Sequence, residues 1–173
     1  MLDATIFVVF PFCMAFAAIS DMLSMTIANR VSVVLVLAFA AVAPFTGMEW
    51  SDYGLHFAAG TLVLAVTFVM FAIGGMGGGD AKLLAASSVW MGLGMPLMMY
   101  LVATAFIGGV LTLMILSYRG SPLAVYTGRN PFLRHFADES NGVPYGVALG
   151  IGGMLTFPES PLVIWSLERL SAI

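Results

Sequence analysis

The chain has 173 residues and a formal net charge of −3, with 61% hydrophobic and 9% charged residues. Soluble globular domains carry about 25% charged residues, and so few charges cannot cover a soluble core of this size. The composition therefore excludes a soluble globular protein and indicates that lipid surrounds most of the chain. The single cysteine, Cys13, excludes an internal disulfide and a zinc site made of paired thiols.

Apolar segments follow one another along the chain and predict an all-α bundle of about six transmembrane helices, forming one integral membrane domain over residues 1–173. No Lys or Arg precedes the first segment, which favours a membrane helix over a secretory signal peptide. The fourth segment is short, reaching about 20 Å at 1.5 Å per residue across a hydrocarbon core of about 30 Å. The expected helices cover residues 4–20, 31–46, 55–73, 81–93, 97–117 and 145–157.

Positively charged residues are concentrated at one end of this predicted bundle. If the N-terminus faces the extracytoplasmic side, five of the six Lys and Arg residues lie in cytoplasmic segments: Arg30, Lys82, Arg119, Arg129 and Arg134. The opposite loops contain Glu49 and Asp52 and no Lys or Arg. This asymmetry follows the positive-inside rule and predicts that residues 21–30, 74–82 and 118–142 face the cytoplasm.

Two acidic residues fall at this same end of the bundle. Asp21 follows the first predicted helix, and Asp80 follows the third through the sequence IGGMGGGD, residues 73–80. Taken singly, each acid is explained equally well as a helix cap or a polar stop. A pair of acids beside a run of glycines favours a functional site, because carboxylates near hydrocarbon are costly.

The glycine run narrows the chemistry of this site. It lacks the last glycine of a dinucleotide-binding fingerprint, because Asp80 occupies that position, and it lacks the Gly-Lys-Ser/Thr of a P-loop. An anionic Asp80 would also repel phosphate. The small residues 77–79 instead suit an extended peptide backbone lying against the loop. Gly74 is assigned to the third helix, so Gly74→Ala should impair the function less than Gly79→Val, because helix interiors accept alanine more readily than glycine.

Two neighbouring carboxylates can hydrolyse a peptide without a metal or another cofactor. Like charges a few ångströms apart do not both ionise, so one carboxyl group keeps its proton and the other acts as a base. The base removes a proton from water, which attacks the peptide carbonyl, while the acid protonates the carbonyl oxygen. We therefore expect Asp21 and Asp80 to act as a pair, with no metal and no cofactor.

Three stretches of the sequence resemble one family of membrane peptidases. GGGD, residues 77–80, matches the Gly-x-Gly-Asp signature of intramembrane aspartyl peptidases. SDMLSMTIANR, residues 20–30, is similar to the first-aspartate motif of the type IV prepilin peptidases, although Ala28 stands where that family usually has proline. VPYGVALGIGG, residues 143–153, is similar to a later segment of the same family. The three stretches occur in the family's order along the chain.

The resemblance implies which residues act. Asp21 and Asp80 would be the catalytic pair, and Gly77, Gly78 and Gly79 would contact the substrate.

Four further residues near the same end are candidates for substrate binding: Lys82, Asn29, Pro144 and Tyr145. Purely structural roles stay open for the first three. A lysine that extends to the membrane interface, an asparagine that caps a turn and a proline that starts a helix fit the sequence equally well.

The resemblance also implies a function. The family removes basic leader peptides from type IV prepilins and pseudopilins at the cytoplasmic face of the bacterial inner membrane, by intramembrane aspartyl endopeptidase chemistry. This chain lacks the paired Cys-x-x-Cys insertion of the bifunctional members, so we expect the compact Flp/Tad-pilus type without methyltransferase activity. The expected partners are a prepilin with a cationic leader and membrane lipid, and no nucleic acid. Two other classes stay open: a cation-coupled membrane transporter, and a non-enzymatic membrane component of a pilus or secretion assembly.

Overall fold

The computed structural model describes residues 2–122 and 142–172. These residues form helices joined by short connections, with no strand in the described ranges, which confirms the all-α fold. The α-helices are α1 (Leu2–Ser24), α2 (Asn29–Val42), α3 (Trp50–Ala72), α4 (Gly78–Met91), α5 (Met95–Arg119), α6 (Tyr145–Thr156) and α7 (Pro161–Ser171). Short 3-10 turns extend α2 (Ala43–Thr46) and connect α6 to α7 (Phe157–Glu159).

Four helices of the described chain are long and apolar enough to cross a membrane: α1, α2 with its 3-10 extension, α3 and α5. A fifth crossing results if α6 and α7, which meet at 43°, form one broken span. By length and composition the chain is therefore a multi-pass membrane protein, as the sequence predicted. The expected number of about six spans is not confirmed, because α4 has only 14 residues and a spanning helix needs about 20.

The two helices that carry the aspartates extend beyond their apolar segments. α1 continues to Ser24, so Asp21 lies near the end of the helix rather than after it. α4 begins at Gly78 rather than at residue 81, so Asp80 lies in its first turn. The apolar pattern placed both boundaries inside the helices because it ends at the first polar or small residues, whereas the helical backbone continues through them.

α4 is the central helix of the bundle. Ten of its 14 residues are buried, and it packs against α2 and α3, with further contacts to α5 and α6. A helix with no polar face is stable only where other elements surround it. The Ser88 hydroxyl donates to the Leu84 carbonyl at 2.7 Å, and the Trp90 indole N–H donates to the Leu35 carbonyl of α2 at 2.9 Å. These polar groups of α4 are thereby satisfied without water.

α6 lies close to α1 because glycines replace side chains along its contact face. A Cβ added at Gly150 would lie 2.9 Å from the Met14 carbonyl oxygen and 2.8 Å from the Ala18 Cβ, both in α1. Gly146, one turn earlier in α6, faces Asp21 in the same way. This Gly-x-x-x-Gly spacing lets two membrane helices approach at backbone distance. The contact brings the start of α6 to the end of α1.

One end of the bundle therefore carries the end of α1, the connection from α3 to α4 and the first turn of α6. Three of the cationic residues assigned to this end are described there: Arg30, Lys82 and Arg119. Arg129 and Arg134 lie outside the described residues.

Candidate active site

Asp21 is buried where α1 meets α6. Its side chain is 5% exposed, and its Oδ2 accepts a hydrogen bond of 2.7 Å from the Gly146 N–H. Pro144 is the N-cap of α6, Tyr145 is its first residue and Gly146 is its second. The N–H of Gly146 therefore has no acceptor one turn earlier in the helix. Asp21 therefore supplies the anion that the N-terminal end of α6 favours.

Asp80 is the third residue of α4, which has Gly77 as its N-cap. Burial, reinforced by the negative charge of Asp21 and opposed by the nearby backbone of Gly77, raises the pKa of Asp80 to about 7. Asp80 therefore retains a proton at pH values where an exposed aspartate has lost it.

Both carboxylates line the same cavity at this end of the bundle. The cavity has a volume of ≈ 510 Å³. A smaller recess of ≈ 220 Å³ is also lined by both acids and by the turn that follows α1. A ligand entering either space therefore meets both carboxylates. The larger cavity is completed by Met25, Met70, Gly74, Gly75, Met76, Gly77, Thr112, Gly142, Val143 and Tyr145.

Most of the residues predicted from the sequence lie near these two acids. Gly77 and Tyr145 line the larger cavity, and Gly78 and Gly79 line the smaller recess. Pro144 is fully buried and acts as the N-cap of α6, which agrees with a role in starting that helix. Contact between these residues and a substrate stays a prediction.

Lys82 and Asn29 lie elsewhere. Lys82 is two residues after Asp80 in α4, which rotates its side chain by about 200° around the helix axis. Its Nζ donates a hydrogen bond of 3.0 Å to the Asn29 Oδ1, and both residues line a different groove, between α2, α3 and α4. The structure does not bring this pair to the acids, and its expected role in substrate binding stays a prediction.

The glycine run ends α3 and begins α4 instead of forming an open loop. Gly74 has a φ of 77°. Its N–H donates to the Phe71 carbonyl at 3.0 Å, and the Gly75 N–H donates to the Met70 carbonyl at 2.8 Å, which together form a Schellman motif. The expectation that Gly74 sits in a helix is therefore wrong, and its left-handed position disfavours a Cβ. The milder effect of Gly74→Ala than of Gly79→Val on cleavage stays a prediction.

Gly77, Gly78 and Gly79 are needed because neighbouring side chains lie where a Cβ would be, and not because the backbone is left-handed. Gly77 has a φ of −68°, but a Cβ there would lie 2.6 Å from the Asp80 Oδ2. A Cβ at Gly78 would lie 3.2 Å from the Phe71 ring, and a Cβ at Gly79 would lie 3.3 Å from the Ile27 Cβ. Gly77 therefore makes room for the carboxylate itself, while the other two admit neighbouring side chains.

Two residues of this site were missed from the sequence. Gly146 lies inside the stretch 143–153, but nothing in the sequence indicates that its N–H would meet Asp21. Met25 directly follows α1, has a φ of 53° and lines both spaces beside the acids. A non-glycine residue at positive φ is uncommon and is found disproportionately at functional sites.

Fold and site together define a multi-pass membrane protein that places two acidic side chains in one cavity at one end of a helix bundle. Comparison with protein-family models identifies the type IV leader peptidase family over residues 8–113, and the chain belongs to this family. The matched range includes both Asp21 and Asp80 and ends before α6. No curated protein and no solved structure matches the chain.

Proposed function

We propose that the chain is an intramembrane aspartyl endopeptidase in which Asp21 and Asp80 form the catalytic pair. The observation that carries the proposal is that these acids, from two different helices, line one cavity in unequal environments. Asp21 accepts a hydrogen bond from the Gly146 N–H at the start of α6, which offsets part of the cost of burying its negative charge, and we assign it the role of the base. The pKa of Asp80 is raised to about 7, which favours its protonated form. One acid and one base at the same place are what peptide hydrolysis by two carboxyl groups needs.

The proposed reaction uses these two groups in turn. Ionised Asp21 takes a proton from a water molecule, whose oxygen bonds to the scissile carbonyl carbon, while Asp80 gives its proton to the carbonyl oxygen. In the second step Asp21 gives its proton to the amide nitrogen, the C–N bond breaks, and Asp80 takes back a proton from a hydroxyl group of the intermediate. The products are a carboxylic acid and an amine, and both side chains recover their starting protonation states.

Backbone donors beside Asp80 suit an extended substrate. Gly78 and Gly79 are the first two residues of α4, where backbone N–H groups lack acceptors within the helix. Both residues line the smaller recess with the two acids. We assign Gly77, Gly78 and Gly79 to the substrate's main chain, and the phenol of Tyr145, on the wall of the larger cavity, to one of its polar groups.

The substrate that fits best is a prepilin or pseudopilin of the Flp type with a basic leader. Family membership supports a leader peptidase in general. An acidic cavity suits a cationic peptide, and the cationic residues of the chain near the same end support a cytoplasmic orientation in a bacterial inner membrane. In this arrangement the expected number of about six membrane helices is reached when α4, which is enclosed by protein, is counted with the four long spans and the broken span of α6 and α7. The single cysteine supports the absence of methyltransferase activity, because the bifunctional members carry paired Cys-x-x-Cys motifs.

The test is leader removal from a co-expressed Flp-type prepilin, scored by the mass of the mature product. Asp21→Asn and Asp80→Asn should each abolish cleavage while leaving the protein in the membrane, because neither asparagine can exchange the required proton. Asp52→Asn is the matched control, since Asp52 is an exposed acid in the first turn of α3, away from the acid cavity. Cleavage by either of the first two variants at the wild-type rate would refute the catalytic pair. A wild-type protein that cleaves no prepilin would instead favour a transporter or a structural component.

A further inference from the structure

A second groove lies on the outer side of the bundle, between α2, α3 and α4. Its volume is ≈ 510 Å³, and aliphatic or small side chains form most of its walls, including Val33, Val36, Gly60, Leu64 and Ala86. Neither Asp21 nor Asp80 lines it. Val33 is 53% exposed and Leu64 is 42% exposed, so in a membrane the groove opens toward lipid.

Polar groups gather at one end of this groove. The Lys82 Nζ donates to the Asn29 Oδ1 at 3.0 Å, and Lys82 has no ion-pair partner within the described ranges. Ser32 is only 8% exposed, and its Oγ has no hydrogen-bond partner among the described residues. α2 also begins here, at Asn29, without a side-chain cap. An unneutralised ammonium, an unpartnered hydroxyl and a positive helix end all favour an anion.

We propose that this groove binds one anionic glycerophospholipid. Its phosphate group contacts Lys82, Asn29 and Ser32, and one acyl chain extends between α2, α3 and α4 toward Phe57 and Val89. The polar end lies at the end of the bundle where Arg30 and Arg119 are also found, which is the depth of a headgroup. Charge complementarity at this end and apolar walls below it match the two parts of a phospholipid. The proposal gives Lys82 and Asn29 a ligand other than the peptide substrate.

The position of the groove favours an acyl chain over a substrate helix. α4 separates the groove from the acids, since Lys82 and Asp80 are on opposite sides of that helix. A substrate helix in this groove would therefore lie on the wrong side of α4 for cleavage.

The experiment places a photo-reactive benzoylphenylalanine at Thr61, an exposed residue of α3 that lines the apolar part of the groove. The protein is reconstituted in nanodiscs of equal parts dioleoylphosphatidylglycerol and dioleoylphosphatidylcholine, and the masses of the lipid adducts are measured after irradiation. We expect the anionic lipid to be captured in about fivefold excess, the effect of one lysine at an anionic membrane surface. Lys82→Gln should reduce this ratio to about one, because it removes the ammonium and leaves a neutral polar side chain that is one atom shorter.

The matched control places the same photo-reactive residue at Leu113, which is 66% exposed on α5 and does not line the groove. There the two lipids should be captured in equal amounts. A ratio near one at Thr61, or an unchanged ratio in Lys82→Gln, would overturn the proposal. So would capture of added prepilin at Thr61 in place of lipid. An arm with added inorganic phosphate tests the headgroup alone, and loss of the lipid preference at millimolar phosphate would show that the site binds free phosphate rather than phospholipid.

Discussion

The Gly146 N–H donates a hydrogen bond of 2.7 Å to the Asp21 carboxylate, joining residues that are 125 positions apart in the chain. This bond satisfies a free donor at the start of α6 and holds the carboxylate at the cavity that Asp80 also lines. It requires the backbone of α6 to lie against the side chain of Asp21. The proposed active site therefore depends on the packing of α6 against α1 as much as on the two acids.

Replacement of Gly146 by alanine tests this dependence. The added Cβ would lie 2.9 Å from the Asp21 Oδ2 and 2.8 Å from the Ile27 Cδ1, so the carboxylate or the helix must shift. We expect Gly146→Ala to lower the rate of leader removal about a hundredfold, because misplacement of a catalytic group by about 1 Å has an effect of that size. The measurement is the initial rate of cleavage at matched amounts of membrane-inserted protein.

Gly109→Ala in α5 is the control for this variant. A Cβ at Gly109 meets nothing within 4 Å, so the rate should stay close to that of the wild type. Equal rates for the two variants would show that the contact between Gly146 and Asp21 has no part in cleavage.

Gly77 should be the most sensitive residue of the glycine run. Its Cβ would lie 2.6 Å from the Asp80 Oδ2, whereas a Cβ at Gly79 would lie 3.3 Å from the Ile27 Cβ. Gly77→Ala therefore displaces the proposed acid directly, and we expect a loss of about a hundredfold in kcat/KM. Gly79→Ala requires only a small movement of Ile27 and should lose less. The comparison is made from cleavage time courses, and a larger loss in Gly79→Ala than in Gly77→Ala would contradict this account.

The sequence predicts the features of this protein that depend on local composition. Long apolar segments produced α1, α3 and α5 at nearly the expected positions, because lipid contact selects apolar side chains along a whole helix. The acids at residues 21 and 80 stood out for the same reason, as charged groups beside hydrocarbon.

The hydrophobicity pattern of the sequence does not predict features that depend on which helices pack together. The bond from Gly146 to Asp21 joins two distant segments, and no periodicity in either segment encodes it. Lys82 seemed close to the site because it is two residues from Asp80 in sequence, but a helix turns its side chain to the opposite side. Gly74 was mistaken for a helical residue because an apolar run gives no information on where the backbone adopts a positive φ.

The Schellman motif at the end of α3 predicts a loss of stability when Gly74 becomes alanine. Gly74 has a φ of 77°, a conformation that costs an L-residue about 1 kcal/mol or more. We expect Gly74→Ala to lower the free energy of unfolding in detergent by about that amount. Gly54→Ala, within α3 and with nothing within 4 Å of its Cβ, should be neutral or stabilising because alanine favours a helix. A Gly74→Ala protein as stable as Gly54→Ala would show that α3 does not end in this motif.

The pH dependence of cleavage should report the raised pKa of Asp80. In the proposed reaction Asp80 must carry a proton, and its pKa of about 7 means that this proton is present below pH 7 and lost above it. We therefore expect kcat/KM to fall with rising pH above about 7, approaching a tenfold loss per pH unit, because kcat/KM follows the ionisation of the free enzyme. The measurement is a series of initial rates in liposomes equilibrated to the same pH on both sides, at substrate concentrations below KM. Asp52→Asn should leave the midpoint of this decline unchanged, since that acid lies outside the cavity. A rate that stays constant or increases well above pH 7 would show that Asp80 does not act as the acid.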